Sequence, residues 1–212
     1  VTSGAVVWIV PSSHAVWIPG GVAHHMMTET VAKTRNLYID PVYPVRSESH
    51  GVMLRLTPLM REVILRLSQE AAPDEAQLRN HLGLVAIDEI GRLEVAPLDL
   101  PAGRDQRLRR LIGHLVRNPA ETRPLSELVQ IAGASLRTIE RLFQAETGMT
   151  FRQWRSRLRL LNAIELLGQG QSSTTIAYSL GFSSASAFVA AFRQHYGVPP
   201  QHFLQQMAVS SR

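Results

Sequence analysis

Arg137, Thr138, Glu140, Arg141 and Gln144 fall on one side of a helix drawn through Leu136–Thr147, and their chemistry is that of base-edge recognition. A guanidinium can pair with O6 and N7 of guanine, a carboxylate accepts from N4 of cytosine, and a hydroxyl serves either way. The other side carries Ile139, Leu142 and Phe143, an apolar stripe able to anchor the helix to a core. The pattern returns further along. Phe188, Val189 and Phe192 form an inward stripe there, with Ala185, Ser186, Ala187, Ala190 and Arg193 outward.

The same short device positions both helices. Leu125–Ala132 and Ser173–Leu180 are short helical stretches that end at Gly133 and Gly181, 48 positions apart. Glycine accepts the positive φ of a tight turn, and a serine just beyond can cap the next helix. That serine is Ser135 in the first unit and Ser183 or Ser184 in the second. Each unit is therefore a helix–turn–helix, spanning about 125–146 and about 173–196. One copy alone is weak evidence, because many helical bundles turn at glycine. Two copies joined by a basic helix are much stronger.

Thr150 caps that connector, which runs to about Leu167 with Phe151, Trp154, Leu158, Leu161 and Ile164 along its inner stripe. Arg152, Arg155, Arg157 and Arg159 are assigned to its outer faces. About 17 residues span roughly 26 Å, a scale suited to holding two helices near the roughly 34 Å spacing of successive major grooves. Arg137, Thr138, Glu140, Arg141, Ala185, Ser186 and Ala190 are the candidates for the groove. Phosphate contacts are expected from Ser135, Arg152, Arg155, Ser184 and Arg193.

Charge supports the assignment. The net charge of +5 divides into −3 over residues 1–101 and +8 over residues 102–212, where all 14 basic residues are Arg. Such asymmetry suits a polyanion partner for the second half, or a solvated basic face with none. The 45% hydrophobic and 18% charged composition is that of an ordered globular chain. The absence of cysteine excludes disulfides, thiolate metal sites and Cys nucleophiles. No apolar run reaches the roughly 18 residues of a membrane span, and the N-terminus lacks the pattern of a secretory leader.

The first half divides into a β region over 1–45 and a two-helix region over 52–96. Ala5–Val10, Ala15–Ile18 and the alternating Arg35–Asp40 read as strands, too few to close a barrel, which suggests that partner strands belong upstream of Val1. From Gly51 a helical period carries Leu56, Leu59, Met60, Val63, Ile64 and Leu67 along about five turns. Asp74 and Glu75 open a second helix with Leu78, Leu82, Val85 and Ile90 inward. These stripes pack on each other, meet a second copy of the chain, or do both. Pro97–Gly103 reads as a linker, placing the domain boundary before a helical domain at 104–206 that opens with Leu108, Leu111, Ile112, Leu115 and Val116.

From about Gln106 to Leu204 the sequence resembles the AraC/XylS family of transcriptional regulators. Arg141-Leu142-Phe143, Glu146-Thr147-Gly148 and Phe151-Arg152-Gln153-Trp154 carry the likeness. So do Ile176–Phe182, Ser186-Ala187-Phe188 and Tyr196–Pro200 with Phe203. The resemblance implies a mainly α fold: a C-terminal all-α double helix–turn–helix DNA-binding domain, preceded by a partial β, cupin-like segment and a two-helix linker. It implies a cytoplasmic, sequence-specific regulator on double-stranded DNA, with base contacts from Arg137, Glu140 and Arg141 on the first recognition helix and Ala185, Ser186 and Ala190 on the second, and with no catalysis and no cofactor. A small effector at the N-terminal part, a homodimer and, for an activator, RNA polymerase complete the expected partners, and no membrane is involved. Val129, Ser173 and Thr175 depart from the family pattern, and small side chains on the second recognition helix leave it methyl contacts and DNA shape.

Pro19-x-Gly21-x-x-His24 is similar to the second conserved box of cupin barrels, where that His is often a metal ligand. A cupin-type metalloenzyme is thus the competing reading, with His14 and His25 nearby. A metal site needs three or four convergent ligands, however, and adjacent strand residues point to opposite faces.

Overall fold

In the computed structural model the described residues are 1–26, 33–70, 72 and 75–209, with side chains described through Gln205. The chain begins with strands β1 (Thr2–Ser3), β2 (Val6–Trp8), β3 (His14–Trp17) and β4 (Val52–Arg55). Helices α1 (Pro58–Leu67) and α2 (Ala76–Arg92) and strand β5 (Asp99–Pro101) follow. The remainder is helical: α3 (Gln106–Arg117), α4 (Leu125–Ala132), α5 (Leu136–Thr147), α6 (Phe151–Gly168), α7 (Ser173–Ser179), α8 (Ala185–Tyr196) and α9 (Pro200–Val209). Strands β1, β2 and β5 form one antiparallel sheet, with Val7 opposite Leu100, and β3 and β4 form another, with Val16 opposite Met53.

The segment Pro97–Gly103 read as a linker contains strand β5 at its centre. Leu98, Leu100 and Ala102 are buried at two-residue spacing, so the prolines mark its ends rather than a flexible hinge. Pro101 fits at the end of β5 because β2 lies on one side only. Val7, Trp8 and Leu100 share one core with α3 to α8, so the apolar interior runs across the charge switch. A smaller core gathers Leu54, Met60, Val63, Ala86, Ile90 and Leu93.

Three local expectations are corrected. The residues Arg35–Asp40 alternate in burial, with Leu37 and Ile39 packed on the smaller core and Tyr38 92% exposed, but they form no strand, since no backbone among the described residues pairs with them. The helical period read from Gly51 begins with β4; α1 starts only at Pro58, where Thr57 Oγ1 accepts the Met60 N–H at 3.0 Å. Leu59 faces solvent. In α2 the buried stripe runs at four-residue steps through Ala86 and Ile90, and Leu78 and Val85 lie on its exposed edge. Asp74 lies outside the described residues.

Candidate nucleic-acid interface

The first unit is built from its turn outward. α4 ends at Gly133 with φ 65°, a conformation that costs residues with a Cβ. Nothing lies within 4 Å of where a Gly133 Cβ would be, so backbone conformation rather than crowding selects glycine here. Ser135 Oγ then accepts the Thr138 N–H at 3.3 Å and restarts the chain as α5. Ile139 and Phe143 are fully buried, and Phe143 meets Phe151 edge-on at 5.6 Å and Trp154 at 6.0 Å. The helix is thereby anchored on one side. On the other, Arg137, Glu140 and Arg141 are exposed and make no side-chain hydrogen bond or ion pair among the described residues. Thr138 is half-buried, its hydroxyl 2.9 Å from that of Ser135.

The second unit repeats the geometry with different contents. Ser172 caps α7, and Gly181 turns the chain with φ 72°. The cap of α8 is Ser184, whose Oγ accepts the Ala187 N–H at 3.1 Å. Phe188 and Phe192 are fully buried and in edge-on contact at 5.7 Å, and Phe203 from α9 meets Phe192 at 5.3 Å. Ser186, Ala190 and Arg193 are exposed; Ala185 and Ala187 are half-buried. Together with Val189 and Gln194, several of these line a shallow depression on the outer side of α8. Its chemistry is apolar with one cation.

The connector α6 has 18 residues, about 27 Å of helix. Thr150 and Gln153 close a reciprocal capping box at its start. Trp154 is fully buried and donates from Nε1 to the Pro101 carbonyl at 2.7 Å, tying the connector to β5. Its four arginines do not share one environment. Arg152 is exposed and makes no ion pair among the described residues. Arg155 is half-buried, stacks 4.6 Å over Phe151 and donates from Nη1 to the Arg123 carbonyl at 2.7 Å. Arg157 faces Asp99 of β5 at 3.7 Å.

Arg159 departs furthest from the expected outer face: only 9% of it is exposed, and its guanidinium donates to three backbone carbonyls. Burial pushes its pKa down to about 10, so the group stays cationic at neutral pH. Sequence reasoning missed this role. The available signal was an arginine inside Leu158-Arg159-Leu160-Leu161, a run too apolar for an outer face.

The histidines near the cupin-like box do not converge. His14 is buried in β3 beside Arg55, and burial first, then that cation, depress its pKa to about 4. His24 is exposed, with Nδ1 3.1 Å from the Val22 carbonyl, and His25 is exposed beside Thr2. Among the described residues no group of three His, Cys, Asp or Glu side chains is placed to hold a metal ion.

Two capped helices, each anchored by aromatics on one side and free on the other, hang from one basic connector. The fold and site define a double helix–turn–helix transcription regulator. A family model described as a helix-turn-helix domain matches residues 128–206. The chain is 31% identical over 205 residues to the HTH-type transcriptional regulator NimR of Escherichia coli (strain K12), covering 96% of this chain and 75% of that protein. It is 36% identical over 112 residues to the HTH-type transcriptional regulator RipA of Corynebacterium glutamicum, covering 53% of this chain and 33% of that one. A crystal structure of an AraC-type transcriptional regulator from Chromobacterium violaceum superposes at a TM-score of 0.46 with 29% identity, over 48% of this chain and 92% of that chain. This chain belongs to the AraC/XylS family of transcriptional regulators.

Proposed function

We propose that this regulator lays α5 and α8 in two successive major grooves on one side of double-stranded DNA, with α5 carrying most of the direct readout. The observation that carries the reading is the exposed set Arg137, Glu140 and Arg141, without ion-pair partners among the described residues, on a helix whose opposite side is locked by Ile139 and Phe143. Thr138 adds a hydroxyl at the helix start. Ser186 and the small Ala185 and Ala190 supply shape and methyl contacts from α8. Arg152, Arg193 and the capping serines Ser135 and Ser184 take phosphates; Arg155 adds the donors it does not spend on Arg123.

The control elements belong to the same proposal. A small effector binds the N-terminal part, which reaches the DNA-binding half through β5 against α6. A second copy of the chain meets the exposed Leu78, Leu84 and Val85 of α2. An activator also contacts RNA polymerase. The site of action is the cytoplasm, where bacterial DNA lies, and none of the described helices is long and apolar enough to cross a membrane.

The test is selection of duplexes from a random pool by the full chain, followed by binding at increasing salt. Two to three arginine–phosphate contacts predict a log–log slope of about −2 to −3. A folded chain that enriches no sequence, or whose binding ignores salt, overturns the proposal.

A further inference from the structure

Arg159 sits on the connector, yet its three bonds all go to other elements. Nη2 donates to the Glu121 carbonyl at 2.7 Å and Nε to the Pro119 carbonyl at 3.3 Å, both in the loop that leads into α4. Nη1 donates to the Gly181 carbonyl at 2.8 Å, in the turn of the second unit. The Phe182 ring lies 5.7 Å from the guanidinium carbon. One side chain thus bridges the loop before the first recognition unit and the turn of the second.

The backbones it joins are also in contact. A Cβ on Gly181 would stand 2.9 Å from the Ala120 carbonyl oxygen and 3.0 Å from Thr122 Cγ2, inside ordinary contact distance. Gly181 is thus selected twice, by its positive φ and by this close approach, whereas Gly133 is selected by φ alone. Otherwise the units meet the shared connector: α4 and α5 pack on α3 and each other and α5 also touches α6 through Phe143, while α7 and α8 pack on α6 and each other. The loop is braced in turn, because Glu121 pairs with Arg123 and with His114 of α3.

A buried guanidinium with three carbonyl acceptors is a demanding arrangement. Its planar fork matches acceptors in three fixed directions, and an ammonium on a flexible stem does not reproduce that pattern. Loosening it frees the Gly181 turn from the 119–122 loop while leaving both aromatic anchors intact.

We propose that Arg159 is a positioning residue that locks the two helix–turn–helix units at one separation and rotation, so that the protein accepts only one spacing between half-sites. The inference rests on the two-groove reading above and goes beyond it, because it concerns the join between the units and not the residues facing DNA. One added base pair moves a half-site by about 3.4 Å along the axis and about 35° around it. A locked pair of units cannot follow that change; a loosened pair can.

The experiment uses the full chain and the duplex it selects, with versions carrying one base pair more or less between half-sites. The unsubstituted chain should lose at least tenfold in affinity on either altered spacing. Arg159→Lys should bind the selected duplex about tenfold more weakly but lose less than threefold on altered spacing, with its helical circular dichroism retained. Uniform weakening with the full spacing penalty kept overturns the proposal.

A second measurement needs no Arg159 variant and no DNA. The chain has no native cysteine, so spin labels at Ser126→Cys on α4 and Gln194→Cys on α8 report the inter-unit distance. A single narrow distribution is expected, and a broad one overturns the lock even if Arg159→Lys does not fold. If the chain selects no DNA at all, the two-groove reading fails while the distance measurement still decides the lock.

Discussion

Arg141→Ala isolates direct readout from everything else the domain does. Arg141 is exposed, has no hydrogen-bond or ion-pair partner among the described residues, and stands six positions after the Ser135 cap, about 9 Å along α5. Its neighbours Leu142 and Phe143 hold the backbone, so the truncated helix keeps its place. Alanine is also the better helix former, and stability should change by no more than about 0.5 kcal/mol. A bidentate pair to guanine is worth about 1–3 kcal/mol of discrimination, or about 5- to 150-fold. The loss should fall at one base pair of the first half-site. Competition binding of wild type and variant to the selected duplex and to every single-base change, at one fixed salt concentration, reads it out. If Arg141→Ala weakens binding equally on all sequences, or keeps full discrimination everywhere, Arg141 does not read a base.

Other outcomes follow from the same geometry. Arg152→Ala removes an exposed cation from the connector and should weaken all duplexes alike, flattening the salt slope by about one unit; loss confined to one base position would contradict the phosphate assignment. The second half-site should tolerate single-base changes better than the first, because the exposed residues of α8 include Ala190 and Ser186 but no carboxylate; equal penalties in both half-sites would refute that asymmetry. His14 should make folding acid-sensitive. The unfolded side chain binds a proton near pH 6.5 and the folded one only near 4, so stability is full above pH 6.5 and falls as pH drops toward 4. The loss amounts to about 3 kcal/mol. Denaturant melts at pH 7.5 and 4.5 should show that loss in wild type and much less in His14→Asn; parallel behaviour of the two would count against the assignment.

The DNA-binding half was legible because its signals are local. Glycine at a turn, serine at a cap and an apolar stripe at helical period each act within a few residues, and they place α4 to α8 closely. The first half failed where the outcome depends on a distant partner. Leu98, Leu100 and Ala102 alternate as a strand does, yet only β2, some ninety residues earlier, makes them one. Arg35–Asp40 has the same alternation but no partner strand among the described residues, and it forms no strand. Val52–Arg55 has no strong period of its own, and its pairing with β3 decides its structure.

The site divides along the same line. Outward positions on α5 could be listed from a helical wheel because no other element competes for Arg137, Glu140 or Arg141. The connector's arginines could not be sorted that way. A wheel assigns a side chain to a face, but long side chains reach several ångströms beyond their own helix, and which carbonyls wait there depends on the fold. Arg152 meets solvent, Arg155 the Arg123 carbonyl, Arg157 a carboxylate of β5, and Arg159 three carbonyls from two units. Charge counting makes the four equivalent in attraction to DNA. Geometry makes the first a candidate for phosphate and gives the last to the protein's own architecture, so the +8 charge of the second half overstates the charge available to a nucleic acid.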